Sequence, residues 1–186
     1  QVDLSGKFIL PSLIDSHAHI TDIGREKFQV DLRGTKSPAE AVERIRAFLA
    51  KTPISAPNPI IGNGWDQSDW PEKSFPTKDM LESLPANQPI VLNRIDGHAL
   101  WTNTFALKNL HITKETIDPQ GGKIIRDANG EPTGIFVDAA MAIFDKISDD
   151  ETDAQIETYI KAAVQDALSY GMTSIHDMGA RGQSIE

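Results

Sequence analysis

The sequence predicts an α/β fold in which parallel strands alternate with helices. Three observations carry that reading. Strand, helix and strand follow one another between Lys7 and Gly62. Two helices open on capping signals, Ser37-Pro38-Ala39-Glu40 and Ser148-Asp149-Asp150-Glu151. Histidine and aspartate gather at the ends of three predicted strands, where ligands collect in parallel α/β proteins.

The chain enters on a short strand, Val2-Asp3-Leu4, turns at Ser5-Gly6, and continues as a strand over residues 8–15. Phe8, Ile9 and Leu10, then Leu13 and Ile14, make its apolar run, interrupted by Pro11 and Ser12. Asp15, His17 and His19 then alternate with Ser16 and Ala18, and the period of two in a strand points all three the same way. Two imidazoles so spaced on a rigid strand form half a site for a divalent metal such as zinc. The bland alternative is a structural histidine pair, with Asp15 orienting a histidine or the strand.

A polar loop leads to the helix 38–51, with proline at its first position. Ala41, Val42, Ile45, Phe48 and Leu49 give it one apolar face, and Thr52-Pro53 stops it. Residues 59–62 form a short buried strand. The following stretch, Gly62 to Met80, is rich in glycine, tryptophan, aspartate and proline, and reads as a long loop. A short helix after Thr77 uses Met80, Leu81 and Leu84. Residues 90–93 are the next strand, ending in Arg94-Ile95-Asp96-Gly97-His98, with a helix expected over 99–110. Residues 121–137 read as a hairpin turning at Asp127-Ala128-Asn129-Gly130. The second capped helix, expected over 151–170, carries an apolar stripe of Ile156, Tyr159, Ile160, Ala163, Val164, Ala167 and Leu168. The acidic run 149–153 is its capped start. The strand 172–176 closes on His176-Asp177. Four of the five histidines therefore sit at predicted strand ends; only His111 lies elsewhere.

Composition narrows the partners. Eighteen basic against 27 acidic residues give a net charge of -9, which disfavours nucleic acid or an anionic membrane surface. No 18-residue apolar run spans a membrane. With no cysteine there is no disulfide or thiol catalysis, and the compartment is left open. The 186 residues support a substantial core but fall short of the about 250 of a closed (β/α)8 barrel. Both ends look cut, so a fragment of a longer protein is expected.

The run from Asp3 to His19, Asp-Leu-x-Gly-Lys-x-Ile-x-Pro-x-Leu-Ile-Asp-x-His-x-His, resembles the opening metal motif of the amidohydrolase superfamily, with Ser12 where glycine is usual. Four further motifs follow in order. They are Gly62-x-Gly64-Trp65-Asp66, the run from Arg94 through Asp96, His98 and Trp101 to Thr104, Gly130-Glu131-Pro132-Thr133-Gly134, and the run from Gly171 to Asp177. Together they look like the amidohydrolase branch that includes N-substituted formamide deformylase.

That resemblance implies a partial (β/α)8 barrel with an inserted β-hairpin and helix subdomain. It divides the chain into a lead-in at 1–14, first barrel strands and helix over 8–62, a long loop and insertion over 63–147, and a helix with a later barrel strand over 148–186. It further implies that His17 and His19 bind a divalent ion, zinc, that activates water against an amide-type carbonyl. The catalytic aspartate and remaining ligands would lie beyond Glu186. Trp65, Asp66, Asp96, His98, Trp101 and His176 would line or support a pocket for a small-molecule substrate.

Other readings stay open beside it. Asp96 with His98, and His176 with Asp177, read equally as hydrogen-bonded structural pairs. Trp65, Trp70 and Trp101 read as core anchors. Asp138, after an apolar strand, has no assigned role. Other barrels open with Asp-x-His-x-His, so a metal phosphoesterase or deoxyribonuclease is a rival, though it would favour more basic residues. A non-catalytic fragment or binding module is the third reading. Unpaired strand edges in such a fragment predict self-association.

Overall fold

The computed structural model describes residues 3–56, 58–84, 87–148 and 151–179. They divide into two compact units, Gln1–Phe28 with Glu151–Glu186, and Gln29–Asp150.

In the first unit, β1 (Leu13–Ala18) pairs in parallel with β8 (Met172–Asp177). Ile14 faces Ser174 and Ala18 faces Asp177, with two irregularities in the register. The strand expected over 8–15 thus starts later. Among the described residues Phe8, Ile9 and Leu10 pair with no strand and are exposed, because Pro11 offers no N–H and no partner edge lies beside them. Only the turn at Ser5-Gly6 forms, closed by the Lys7 N–H on the Leu4 carbonyl at 3.0 Å.

Helix α1 (Ile20–Glu26) follows β1 directly and packs on α5 (Asp153–Ser169). A Cβ on Gly24 would lie 1.8 Å from the Tyr159 carbonyl oxygen, so only glycine permits this approach. The Phe28 ring packs at a tilt against Tyr159, 5.4 Å between centroids, and Arg25 grips Glu151 through two bonds of 2.6 and 2.8 Å. The cap of α5 lies one turn beyond the expected Ser148–Glu151 box: Thr152 and Gln155 satisfy each other's N–H groups reciprocally. Asp149 and Asp150 of the expected box lie outside the described residues.

The second unit is a six-stranded sheet of order β2-β3-β4-β5-β7-β6. Its strands are β2 (Val30–Asp31), β3 (Ile60–Trp65), β4 (Ile90–Arg94), β5 (Ala99–Thr102), β6 (Gly122–Arg126) and β7 (Pro132–Asp138). The first three run parallel; β4, β5, β7 and β6 alternate in direction. The expected single parallel sheet is therefore replaced, among the described residues, by two sheets that each contain one expected parallel pair. The hairpin 121–137 forms as expected, but it extends the main sheet through β5 rather than standing apart.

Helix α2 (Pro38–Lys51) opens as its sequence dictates, with the Ser37 hydroxyl accepting from Glu40 N–H at 3.1 Å. The Glu40 carboxylate reaches Lys36 N–H at 2.8 Å instead of the cap residue. Ala41, Val42 and Ile45 face the sheet. A helix over 99–110 is not found. Instead, a tight turn with Gly97 N–H on the Arg94 carbonyl folds β5 back onto β4, and α3 (Thr104–Asn109) begins only after Asn103. Asn103 is 3% exposed; its side-chain oxygen accepts from Ile90 and Ala106, and its amide donates to Gln88. The short α4 (Asp145–Ser148) ends the unit.

Strand alternation sends successive residues to opposite faces. Trp101 and Ile135 join the α2 side, whereas Leu100 and Phe136 join Ala106, Leu107, Ile124 and Phe144 on the other.

Candidate functional site

At the end of β1, Ala18 is buried, so its neighbours His17 and His19 project from the other face into the open. Their ring centroids stand 5.7 Å apart at 73°. Asp15 turns back on its own strand, its Oδ1 accepting from His17 N–H at 3.0 Å, and so orients the strand end. On the neighbouring strand, Asp177 Oδ1 accepts from Gly179 N–H at 3.1 Å and from Ile20 N–H at 3.4 Å, while Met178 N–H bonds the Ala18 carbonyl. These bonds tie the two strand ends together. A Cβ on Gly179 would lie 2.4 Å from His19 Nδ1, so the main chain at Gly179 runs close against the ring, and a side chain there would have to displace it. His176 is exposed on β8, just before Asp177.

The donor chemistry fits a divalent ion as a partial set. Two imidazoles supply two of the three or four protein ligands that zinc takes. Among the described residues, no group of three or more His, Cys, Asp or Glu is disposed to hold a metal.

The other expected residues belong to the second unit. Trp65 and Trp101 are fully buried, as is Trp70, with centroids 5.9 to 6.4 Å apart. Each indole N–H bonds a main-chain carbonyl: Trp65 to Leu92, Trp70 to Thr35 and Trp101 to Thr77. The structure places all three tryptophans in the core, the anchor reading rather than the pocket one. Asp66 caps the helical turn Gln67–Asp69, accepting from Ser68 N–H at 2.8 Å.

Asp96 and His98 do come together, with two partners. The Arg94 guanidinium forks onto Asp96 at 2.8 and 2.7 Å, and Asp96 Oδ1 also accepts from His98 N–H at 3.0 Å. The Arg94 bond first, then the His98 N–H, hold the Asp96 carboxyl below the usual carboxylate range. His98 Nδ1 lies 2.9 Å from Asp138 Oδ1. The sequence alone gives Asp138 no role. The hairpin register supplies it: Ala99 faces Val137, which brings the residues on either side of that pair to one strand end.

A second feature escaped the sequence reading. Asn93 donates to Asn63 at 3.0 Å, and Asn63 donates to Gln29 at 2.5 Å, an amide ladder across β4, β3 and the entry to β2. Its signal was an asparagine near the end of each of two parallel strands in register.

A model of the amidohydrolase family matches residues 1–186. The chain belongs to the amidohydrolase family. It is 33% identical over 180 residues to the protein LONG AFTER FAR-RED 3 of Arabidopsis thaliana, covering 96% of this chain and 30% of that protein. It is 27% identical over 192 residues to the N-substituted formamide deformylase of Arthrobacter pascens, covering the whole chain and 35% of that enzyme. Among solved structures, an uncharacterized metal-dependent hydrolase from Pyrococcus horikoshii OT3 matches with a TM-score of 0.69 and 27% identity, over 99% of this chain and 34% of that one. This amidohydrolase-family chain thus spans about a third of the length of the curated relatives it matches. Among its described residues, no helix is long and apolar enough to cross a membrane.

Proposed function

We propose that this chain is part of a metal-dependent hydrolase that cleaves non-peptide carbon–nitrogen bonds of the amide or formamide type. The observation that carries the reading is the His17–His19 pair at the end of β1, exposed side by side where Asp177 ties the neighbouring strand to the start of α1. Its kinship with a formamide deformylase and with a metal-dependent hydrolase supports the chemistry. When bound, a divalent ion such as zinc activates water and polarises the carbonyl.

The chain's own residues have separate tasks. His17 and His19 would hold the ion, Asp15 fixes the strand end that carries them, and the main chain at Gly179 runs close against the His19 ring. His176, in the same unit, contacts a small-molecule substrate; Asp96 and His98, in the other unit, form a separate candidate small-molecule contact. Further ligands with the proton-shuttling carboxylate come from sequence beyond Glu186. The same reading takes β1 and β8 as neighbouring strands of a (β/α)8 barrel. A net charge of -9 stands against a phosphodiester substrate, and so against the phosphoesterase alternative.

The non-catalytic reading of the isolated chain rests on ligand number: His17 and His19 are two imidazoles with ring centroids 5.7 Å apart. Two neutral imidazoles alone bind zinc weakly. Both readings are separated by metal analysis and a panel of N-substituted formamides. In the longer parent protein, His17→Ala and His19→Ala should each remove bound metal and hydrolysis together while the fold survives. A parent that keeps full activity with both histidines replaced would refute the assignment.

A further inference from the structure

We infer that Asp138 is a positioning residue for His98, and that the pair presents the imidazole Nε2 as an acceptor for an amide N–H of a small-molecule ligand. The ligand class rests on the hydrolase reading above; the geometry stands apart from it.

Asp138 closes β7 and precedes the helical turn Ala139–Phe144, the position where aspartate ordinarily accepts from the turn's own N–H groups. It makes no such bond; its carboxylate is given to His98 Nδ1 at 2.9 Å. Its backbone lies at φ 50, ψ -124, a region that side-chain-bearing residues rarely adopt. Its N–H donates to the His98 carbonyl at 3.1 Å, so the two residues are fastened through main chain and side chain alike. From the other side, the Asp96 carboxylate, itself held by Arg94, accepts from His98 N–H.

An exposed ion pair adds little stability, so pairing alone does not account for a strained backbone fastened to His98 through both main chain and side chain. A placed imidazole does. A carboxylate on Nδ1 selects the tautomer that carries its proton there, which leaves the Nε2 lone pair as acceptor. The His98 side chain is 67% exposed, so its ring is not committed to the core. An acceptor nitrogen in a polar strand-end cluster suits the N–H of an amide.

Long-range proton–nitrogen spectra of the 186-residue chain, labelled with 15N-histidine and recorded where imidazole is neutral, read the tautomer directly. We expect His98 in the Nδ1–H form, against the Nε2–H form that predominates in unconstrained histidine. Asp138→Gly removes the carboxylate, keeps the main-chain N–H and relieves the positive φ, so the fold is preserved. It should return His98 to the Nε2–H form.

Titration with N-benzylformamide should shift the His98 Nε2 resonance in the wild type, with affinity roughly tenfold weaker in Asp138→Gly, the scale of one lost hydrogen bond. An Nε2–H wild type, a tautomer unchanged by Asp138→Gly, or a ligand response absent or equal in the two proteins would overturn the inference. Such a result leaves the hydrolase reading standing if the longer parent still cleaves formamides. A parent inactive on formamides beside the expected tautomer and ligand response sinks that reading instead.

Discussion

The two units bury their sequence very differently. In the Gln29–Asp150 unit, two clusters of large side chains fill the faces of one sheet, with Trp65, Trp70, Trp101, Phe136 and Ile45 fully enclosed. In the unit that carries His17 and His19, the only buried apolar side chains among the described residues are Ala18, Ala163 and Ala167. Its larger apolar groups are in the open: Phe8 at 96% exposure, Leu10 at 79% and Ile14 at 63%. Apolar burial is the main favourable term in folding, at about 25 cal/mol per Å². The well-filled unit therefore holds its polar cluster on a rigid frame, whereas the histidine pair rests on two strands and a helix pair that expect more cover.

The largest expected effect is in backbone protection. Amides of β1, β8 and α5 should exchange with solvent roughly a hundredfold faster than those of β4, β5 and β7, since local opening follows buried contact. Raising the protein concentration should slow the first set as Phe8, Leu10 and Ile14 become covered by self-association, visible in parallel by sedimentation. Equal protection in both units of a dilute monomer would break the comparison.

A core truncation sharpens it from the other side. Trp101→Ala should cost roughly 3–5 kcal/mol in urea unfolding, because it removes one of the three packed indoles and strands the Thr77 carbonyl. A loss below about 1 kcal/mol would mean that the cluster is not the core of its unit.

The smallest effect is electrostatic. The Arg94 fork on Asp96, the Arg126 pair on Asp118, and the N–H groups of Glu131 and Asn129 on Asp127 each hold a carboxyl below its ordinary value. A depressed folded pKa gives stability that is present above the unfolded value of about 3.9 and lost as pH falls through the folded one. Melting temperature should therefore drop modestly below about pH 4, and Arg94→Gln should flatten part of that slope. A slope unchanged by Arg94→Gln would remove Asp96 from the account.

Much of this was legible in the sequence where local rules act alone. Ser37, Pro38 and the apolar stripe set α2 to the residue, and Asn129-Gly130 set the hairpin turn. The exposure of His17 beside a buried Ala18 was legible too, because period two in a strand needs no tertiary context. What failed needed knowledge of partners. Ala99–Thr102 has helix-compatible residues, yet the turn at Gly97 lays it along β4 as a strand. Phe8 to Leu10 looks like a strand but has no edge beside it among the described residues. Trp65 and Trp101 stand next to polar motifs in the sequence, while strand parity turns them inward. Asp138 could be recognised only once the register had placed it beside His98.

The parallel pairing of β1 with β8 joins residues far apart in the sequence, Asp15 beside Ile175. On the ribosome, the histidine strand emerges before β8 and must wait, with its ladder groups bonded only to water, until its partner is made. Closing so long a loop from open coil is costly, each doubling of length adding about 0.6 kcal/mol. The hairpins of β4 to β7 close over short spans and can form first, so that the intervening segment is already compact when β8 arrives. Synthesis order thus makes the frame a folding aid for the histidine strand, and slow translation across Gln29–Asp150 would favour the correct pairing.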